Sequence, residues 1–262
     1  MTTMRHIVMF SGGVGSFLAA ARTVDFYGPD AVTLLFADTR IEDDDLYRFV
    51  DDAADHLGAK LVTIADGRTP WQLFADVRMI GNTRADICSR VLKRDLMRRW
   101  IDDHADPDDT TIVLGIDWTE HHRFDRVRHR WKPWTVTAPM CDPPLLDKPE
   151  MIAEVRRRGI EPPRLYQLGF PHNNCGGFCV KAGIGQFLLL LEKLPDRYRA
   201  HEAEEERVRR IIGKDVAVLR DRRGGTTRPL TLAELRRRVE AGGEQLTLDG
   251  IDEFGGCGCA IE

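Results

Sequence analysis

No stretch of this sequence approaches the roughly 18 consecutive apolar residues that a membrane-spanning helix needs; the longest apolar run, around Phe187–Leu191, is far shorter. The start of the chain lacks the pattern of a secretory signal, because its first apolar run leads straight into glycines. The expectation is a cytoplasmic protein with no membrane partner. There is no excess of charge of one sign either. Thirty-eight Lys and Arg against 42 Asp and Glu give a net charge of −4, so no global field draws the chain to nucleic acid. The local basic runs (Arg94–Arg99, Arg123–Arg130, Arg156–Arg158, Arg207–Arg210, Arg220–Arg223, Arg236–Arg238) mostly alternate with acids on helix-like segments and read as solvated faces. Internal repeats and long low-complexity tracts are missing as well. In a reducing compartment the six cysteines read as thiols for metal or redox chemistry rather than as disulfides.

What is present is an alternation of apolar runs and helical periodicity. "RHIVMF", "AVTLLFADT", "AKLVTIAD" and "TTIVLGID" read as buried strands, with "WTVTAPM" as a candidate fifth. Helices are expected at "SFLAAARTV", at "EDDDLYRFVDDAADHLG" with Leu46, Phe49, Val50, Ala53, Ala54 and Leu57 inward, and at "CSRVLKRDLMRRWIDDH" with Val91, Leu92, Leu96, Trp100 and Ile101 inward. The expected fold class is α/β: a doubly wound, mainly parallel Rossmann-like sheet spanning residues 1–141. A mostly helical, cysteine-containing extension follows at 142–262, with helices near Ile184–Leu194, "YRAHEAEEERVRRIIG" and "TLAELRRRVEAG" and a small β element at "KDVAVLRDRRGG". In such sheets ligands bind beyond the carboxyl ends of the strands. That rule places Ser11–Ser16, Asp38–Glu42 and Gly115–Arg123 on one rim.

A glycine-rich turn between a buried strand and a helix lets backbone N–H groups approach an anion, helped by the helix dipole. "SGGVGS" lacks the G-K-[ST] ending of a Walker A loop and is not G-x-G-x-x-G. It resembles the SGG-x-D-S pyrophosphate loop of the ATP pyrophosphatase (PP-loop) superfamily. "LLFADTRIEDDDLYRFVDDAADHLG", "CSRVLKRDLMRRW" and "LGIDWTEHHR" are similar to successive segments of its phosphoadenosine phosphosulfate (PAPS) reductase-like branch, over roughly residues 4–135. The resemblance implies an adenine nucleotide, ATP or PAPS. Its phosphates would be held by Ser11, Gly12, Gly13, Val14, Gly15 and Ser16, beside Gly115. Asp38 and Thr39 would lie on the adenine-ribose side, and Lys93 and Arg123 would neutralise phosphate or sulfate. Gly15 stands where ATP-cleaving members carry an acid; Glu42, Asp43, Asp44 or Glu120 are candidates to hold Mg²⁺ in its place.

The cysteines carry the remaining chemistry. Cys175 and Cys179 form a C-x₃-C pair in a glycine-rich loop, with His172 nearby, and Cys88 opens a helix whose dipole is expected to lower its pKa. With Cys141 as a fourth ligand, Cys88, Cys175 and Cys179 are candidates for a [4Fe–4S] cluster; zinc and free thiols are the alternatives. Cys257 and Cys259 lie among glycines near the C-terminus; the resemblance implies a tail cysteine as nucleophile on sulfur, with a persulfide relay or a second ligand pair as alternatives. Two reactions follow from the resemblance: ATP-dependent adenylation of an acceptor (tRNA, DNA or a small molecule) with sulfur transfer, or reduction of PAPS or adenylyl sulfate by a tail thiolate. A sulfur-donor or reductant protein would be a partner. A nucleotide-binding module with structural zinc is the non-catalytic alternative.

Overall fold

The computed structural model describes residues 4–82 and 85–242. Its centre is a five-stranded, wholly parallel sheet: β1 (Arg5–Phe10), β2 (Val32–Asp38), β3 (Lys60–Ala65), β4 (Thr110–Val113) and β5 (Thr135–Thr137), in the order β3-β2-β1-β4-β5. Helices α1 (Val14–Tyr27), α2 (Asp44–Leu57) and α3 (Pro70–Val77) follow the first three strands. Next come the short α4 (Ile87–Ser89), a π-helical segment (Arg90–Arg94), α5 (Asp95–His104) and α6 (His121–Arg130). The rest is α7 (Lys148–Arg157), α8 (Arg164–Gln167), α9 (Ile184–Lys193), α10 (Pro195–Ile212) and α11 (Leu232–Glu240), with an antiparallel pair β6 (Leu219–Asp221) and β7 (Arg228–Leu230).

Strand alternation sorts the side chains into two layers. Val8, Phe10, Leu34 and Phe36 face α1 and α2 together with Met151 and Val155 of α7. Ile7, Met9, Leu35 and Ala37 face Met97, Ile101, Val127, Trp131 and Trp134 on the other side. Apolar cover on both faces is why these strands read as continuous apolar runs. A third core joins Trp71 and Phe74 of α3 to Phe170, Phe178, Phe187, Tyr198 and Val208, so the extension packs directly on the sheet half.

Local signals set the helix ends. Asp43 caps α2 by accepting the Asp45 N–H, and Gly58 ends it in the left-handed region. Capping boxes start α3 (Thr69 with Gln72) and α7 (Asp147 with Glu150). The inward set of α2 is the one its periodicity gives. The Cys88–His104 stretch differs from expectation. Leu92, Met97 and Ile101 are buried, while Val91, Leu96 and Trp100 are only partly so. The wider π turn shifts the inward face by one position, which turns Lys93 into the interior.

Candidate functional site

Sheet order alone selects a place for a ligand. From β1 the chain winds outward to β3, then returns to the other side of β1 as β4, so the direction reverses between β1 and β4. The crevice outside the carboxyl ends at such a reversal is where open α/β sheets bind ligands. The loops that emerge there are Ser11–Gly13 and Leu114–Asp117.

The two loops touch through glycines. A Cβ on Gly115 would sit 2.8 Å from Ser16 Cα and 2.9 Å from Ser16 N, so only glycine lets the chain after β4 reach the start of α1. A Cβ on Gly15 would lie 3.2 Å from the Gly115 carbonyl oxygen. Gly15 thus has a packing cause, and an acid there would set its side chain against a carbonyl. Gly12 adopts φ +73 with Leu46 directly beneath it, which a side chain would strike. Buried Ser16 accepts from the Ser11 N–H and hydroxyl, both at 3.2 Å, and donates to the Gly13 carbonyl at 2.9 Å. These bonds hold the turn open in front of α1. No side chain caps that helix at Gly13, and the positive end of its dipole faces the crevice.

Beside the loop lies a buried polar network. Glu42, 5% exposed, accepts from the Thr39 hydroxyl at 2.9 Å, from Lys93 Nζ at 3.2 Å and from the Cys175 N–H. Asp43, fully buried, is held in a two-point pair by Arg164 at 2.8 Å and by Arg197 at 3.1 Å. Arg197 also donates to the Gly176 carbonyl at 3.0 Å. The Cys175–Gly177 turn runs through positive φ at all three residues and lies over the start of α2. Asp38, at the end of β2, accepts from the Tyr47 hydroxyl at 2.8 Å and the Arg40 N–H at 2.7 Å. Burial and the Asp38 carboxylate push the Tyr47 phenol well above its ordinary range.

The structure brings Ser11–Ser16 and Gly115 together at the reversal point, with Asp38 and Thr39 at the end of the neighbouring strand. Thr39 and Lys93 are committed to Glu42 inside the protein. Arg123 is buried on α6 in an ion pair with Glu120. Of the acids considered for Mg²⁺, Glu42 and Asp43 are tied to cations, Glu120 pairs with Arg123, and Asp44 is exposed.

The described cysteines do not form a ligand set. Among the described residues no group of three or more His, Cys, Asp or Glu side chains is arranged to hold a metal. Cys141 packs under the α5–α6 layer and donates to the Ile116 carbonyl at 3.6 Å, while Cys179 lies buried in the extension core with Cys88 packed against it. Burial raises the Cys88 thiol to about 11, more than the Ser89 N–H and Lys93 lower it. The expected dipole-activated thiolate is therefore corrected to a protonated thiol, because the cost of burying the charge outweighs what the helix start offers. Burial and nearby acids raise Cys141 to about 11 as well. The described donors do not fit an iron–sulfur cluster. Cys257 and Cys259 lie outside the described residues.

Sequence reasoning missed three residues at the loop. The Tyr166 hydroxyl accepts from the Val14 N–H at 3.3 Å, and Asn173 donates to the Gly12 carbonyl at 3.1 Å. Arg164 holds Asp43. No local pattern marks them; in "PHNNCGG" the chemistry-bearing residues are His172 and Cys175, and Asn173 carries no signal of its own.

Fold and loop together define a class: a doubly wound α/β protein with a glycine loop closing the reversal point of its sheet. No family model matches the sequence, and none of the curated proteins matches it. Among solved structures the chain is similar to phosphoadenylyl-sulfate (PAPS) reductase from Candida auris in its phosphate complex. The two share 13% identity and a TM-score of 0.43, over 65% of this chain and 79% of that one. It is also similar to the NH3-dependent NAD synthetase from Campylobacter jejuni in complex with nitrate. Here the identity is 12% and the TM-score 0.41, over 82% of this chain and 86% of that one. Residue roles are assigned on this chain's own geometry. Among the described residues no helix is long and apolar enough to cross a membrane.

Proposed function

We propose that this protein is an adenine-nucleotide-dependent enzyme whose Ser11–Ser16 loop holds the nucleotide phosphates. The observation that carries this reading is the start of α1 at the sheet's reversal point, which takes no cap from its own Gly13 and is approached by a turn built with glycines at 12, 13, 15 and 115. Backbone N–H groups there provide the donors, and the helix dipole favours the anion. Asp38, oriented by Tyr47, lies at the end of the adjacent strand, where a carboxylate can accept from ribose hydroxyls. In the preferred reaction ATP is cleaved between its α- and β-phosphates, and an oxygen of the acceptor takes the adenylyl group. A sulfur nucleophile then displaces AMP. No step is routed through an iron–sulfur cluster, because the described cysteines do not assemble one.

One observation favours a second reading. A Cβ at Gly15 would sit 3.2 Å from the Gly115 carbonyl oxygen, a tight contact, and the loop lacks the carboxylate that ATP-cleaving loops carry there. Binding PAPS or adenylyl sulfate without splitting a pyrophosphate makes no demand on that position. Pyrophosphate release from ATP, measured over a panel of tRNA, DNA and small-molecule acceptors, decides between the two. Release with one acceptor supports adenylation; no release with any of them, together with sulfite release from PAPS, overturns it in favour of the second.

A further inference from the structure

The start of α1 already has an occupant. Val14 is the first residue of that helix, and its N–H points at the Tyr166 hydroxyl, 3.3 Å away. A Cβ on Gly13 would lie 3.2 Å from the same oxygen. Tyr166 comes from α8, more than 150 positions along the chain, and its ring packs on the α1–α2 core. Arg164 fixes α8 by its two-point pair with Asp43 and by its own N–H, which donates to Asp45 at 2.7 Å. A phenol oxygen is a poor match for this position. It is neutral where the dipole favours charge, and its bond is at the long end of the normal range.

A second observation falls on the same loop. Asn173 is wholly buried, and its Nδ2 donates to the Gly12 carbonyl, which turns Oδ1 away from that bond. Asn173 Oδ1 has no partner among the described residues, and neither ring nitrogen of the adjacent His172 has one. Buried polar atoms without a hydrogen-bond partner are costly and rare. Asn173 Oδ1 lies on a side chain bonded to the glycine turn, and its missing partner marks a place where something else completes the bonding.

Resting on the nucleotide reading above, we infer that the extension gates the loop. The Tyr166 hydroxyl holds the Val14 amide when the loop is empty and yields it to a phosphate oxygen of the incoming nucleotide. Asn173 Oδ1 then accepts from a hydroxyl or amino group of the same ligand. The gate selects for a ligand anionic enough to displace a phenol and carrying a donor beside its phosphates.

The test is calorimetric titration of inorganic pyrophosphate and of ATP into the full chain and into Tyr166→Phe, which keeps the ring in its apolar contacts. Removing a competing hydrogen bond makes pyrophosphate bind roughly twofold to twelvefold tighter in the variant. Equal or weaker binding overturns the gate and leaves the nucleotide site standing. If the wild-type chain binds neither pyrophosphate nor ATP, the nucleotide reading itself falls and the gate with it. A second readout needs no substitution of function. With 3-fluorotyrosine incorporated, the Tyr166 resonance shifts on titration of pyrophosphate and saturates with the calorimetric affinity; an unmoved resonance overturns the gate.

Discussion

The sheet half and the extension use buried polar groups in opposite ways. In the sheet half a cluster of them collects at the carboxyl edge (Ser16, Thr39, Glu42, Asp43, Lys93 and Asp117), and the layers behind are mainly apolar. In the extension they lie inside the core as fasteners. Glu205 accepts the Val218 and Leu232 N–H groups at 3.0 and 2.6 Å, tying α10 to both β6 and α11. His201 accepts from the Trp71 indole at 3.0 Å and stacks on Phe178, while Gln186 donates to the Gly177 carbonyl at 2.7 Å. The sheet has its directional bonds in the strand ladders and needs apolar cover on its faces. A helical segment that must present one turn to a distant loop needs directional bonds, and these are what the extension supplies.

The largest test of that contrast is at the joint. Glu42→Ala removes the partner of a buried lysine and leaves the Thr39 hydroxyl and the Cys175 amide without their acceptor. The expected cost is about 3–5 kcal/mol in urea unfolding, as for other broken buried pairs. A loss below about 1 kcal/mol would show that the two halves are not fastened there. Next in size is Gly176→Ala. The new methyl group meets the Arg197 guanidinium and approaches the Ile41 carbonyl to 2.8 Å, in a backbone at φ +58. About 1–3 kcal/mol is expected from the strained backbone. The same substitution at Gly159, also at positive φ but with open space around it, should cost less.

The smallest effect is in pH dependence, and it belongs to the extension. Burial holds His201 down at about 3, with Arg197 adding to it. The folded protein keeps this ring neutral, so the stability it contributes above its unfolded value of 6.5 is lost as pH falls from there toward 3. Burial raises Glu205 to about 7 from 4.5, so its contribution is complete below 4.5 and is lost as pH rises through 7. Between pH 4.5 and 6.5 the two oppose each other. His201→Gln should therefore improve stability at pH 4.5 relative to pH 7 by about 2 kcal/mol, and Glu205→Gln should worsen it by a similar amount. Urea midpoints at the two pH values check this; shifts of the same sign in both variants would refute the assignment.

The same contrast explains what was legible in the sequence. Parallel strands covered on both faces write themselves as apolar runs, and α2 writes its inward face by periodicity and its ends by Asp43 and Gly58. The glycine loop was legible because close backbone approach demands glycine. The reason for Gly15 was not: its neighbour, Gly115, is a hundred residues away. The π turn at Arg90–Arg94 has no such local signature, and Lys93, which lies within it, is buried. Tyr166 and Asn173 reach the loop across 152 and 161 positions, a distance over which no pattern in the chain connects the partners. Isolated cysteines suggested ligands; burial, which composition does not report, made Cys88 and Cys141 high-pKa thiols instead.

The central claim is that one nucleotide site is built from both halves at the glycine loop. Amide hydrogen exchange of the full chain with and without saturating ATP tests it in one measurement. The account predicts slowed exchange over Gly13–Phe17, accompanied by altered exchange over Tyr166–Gly177. Protection confined to some other part of the molecule, or a response at the loop with the extension unchanged, would contradict it.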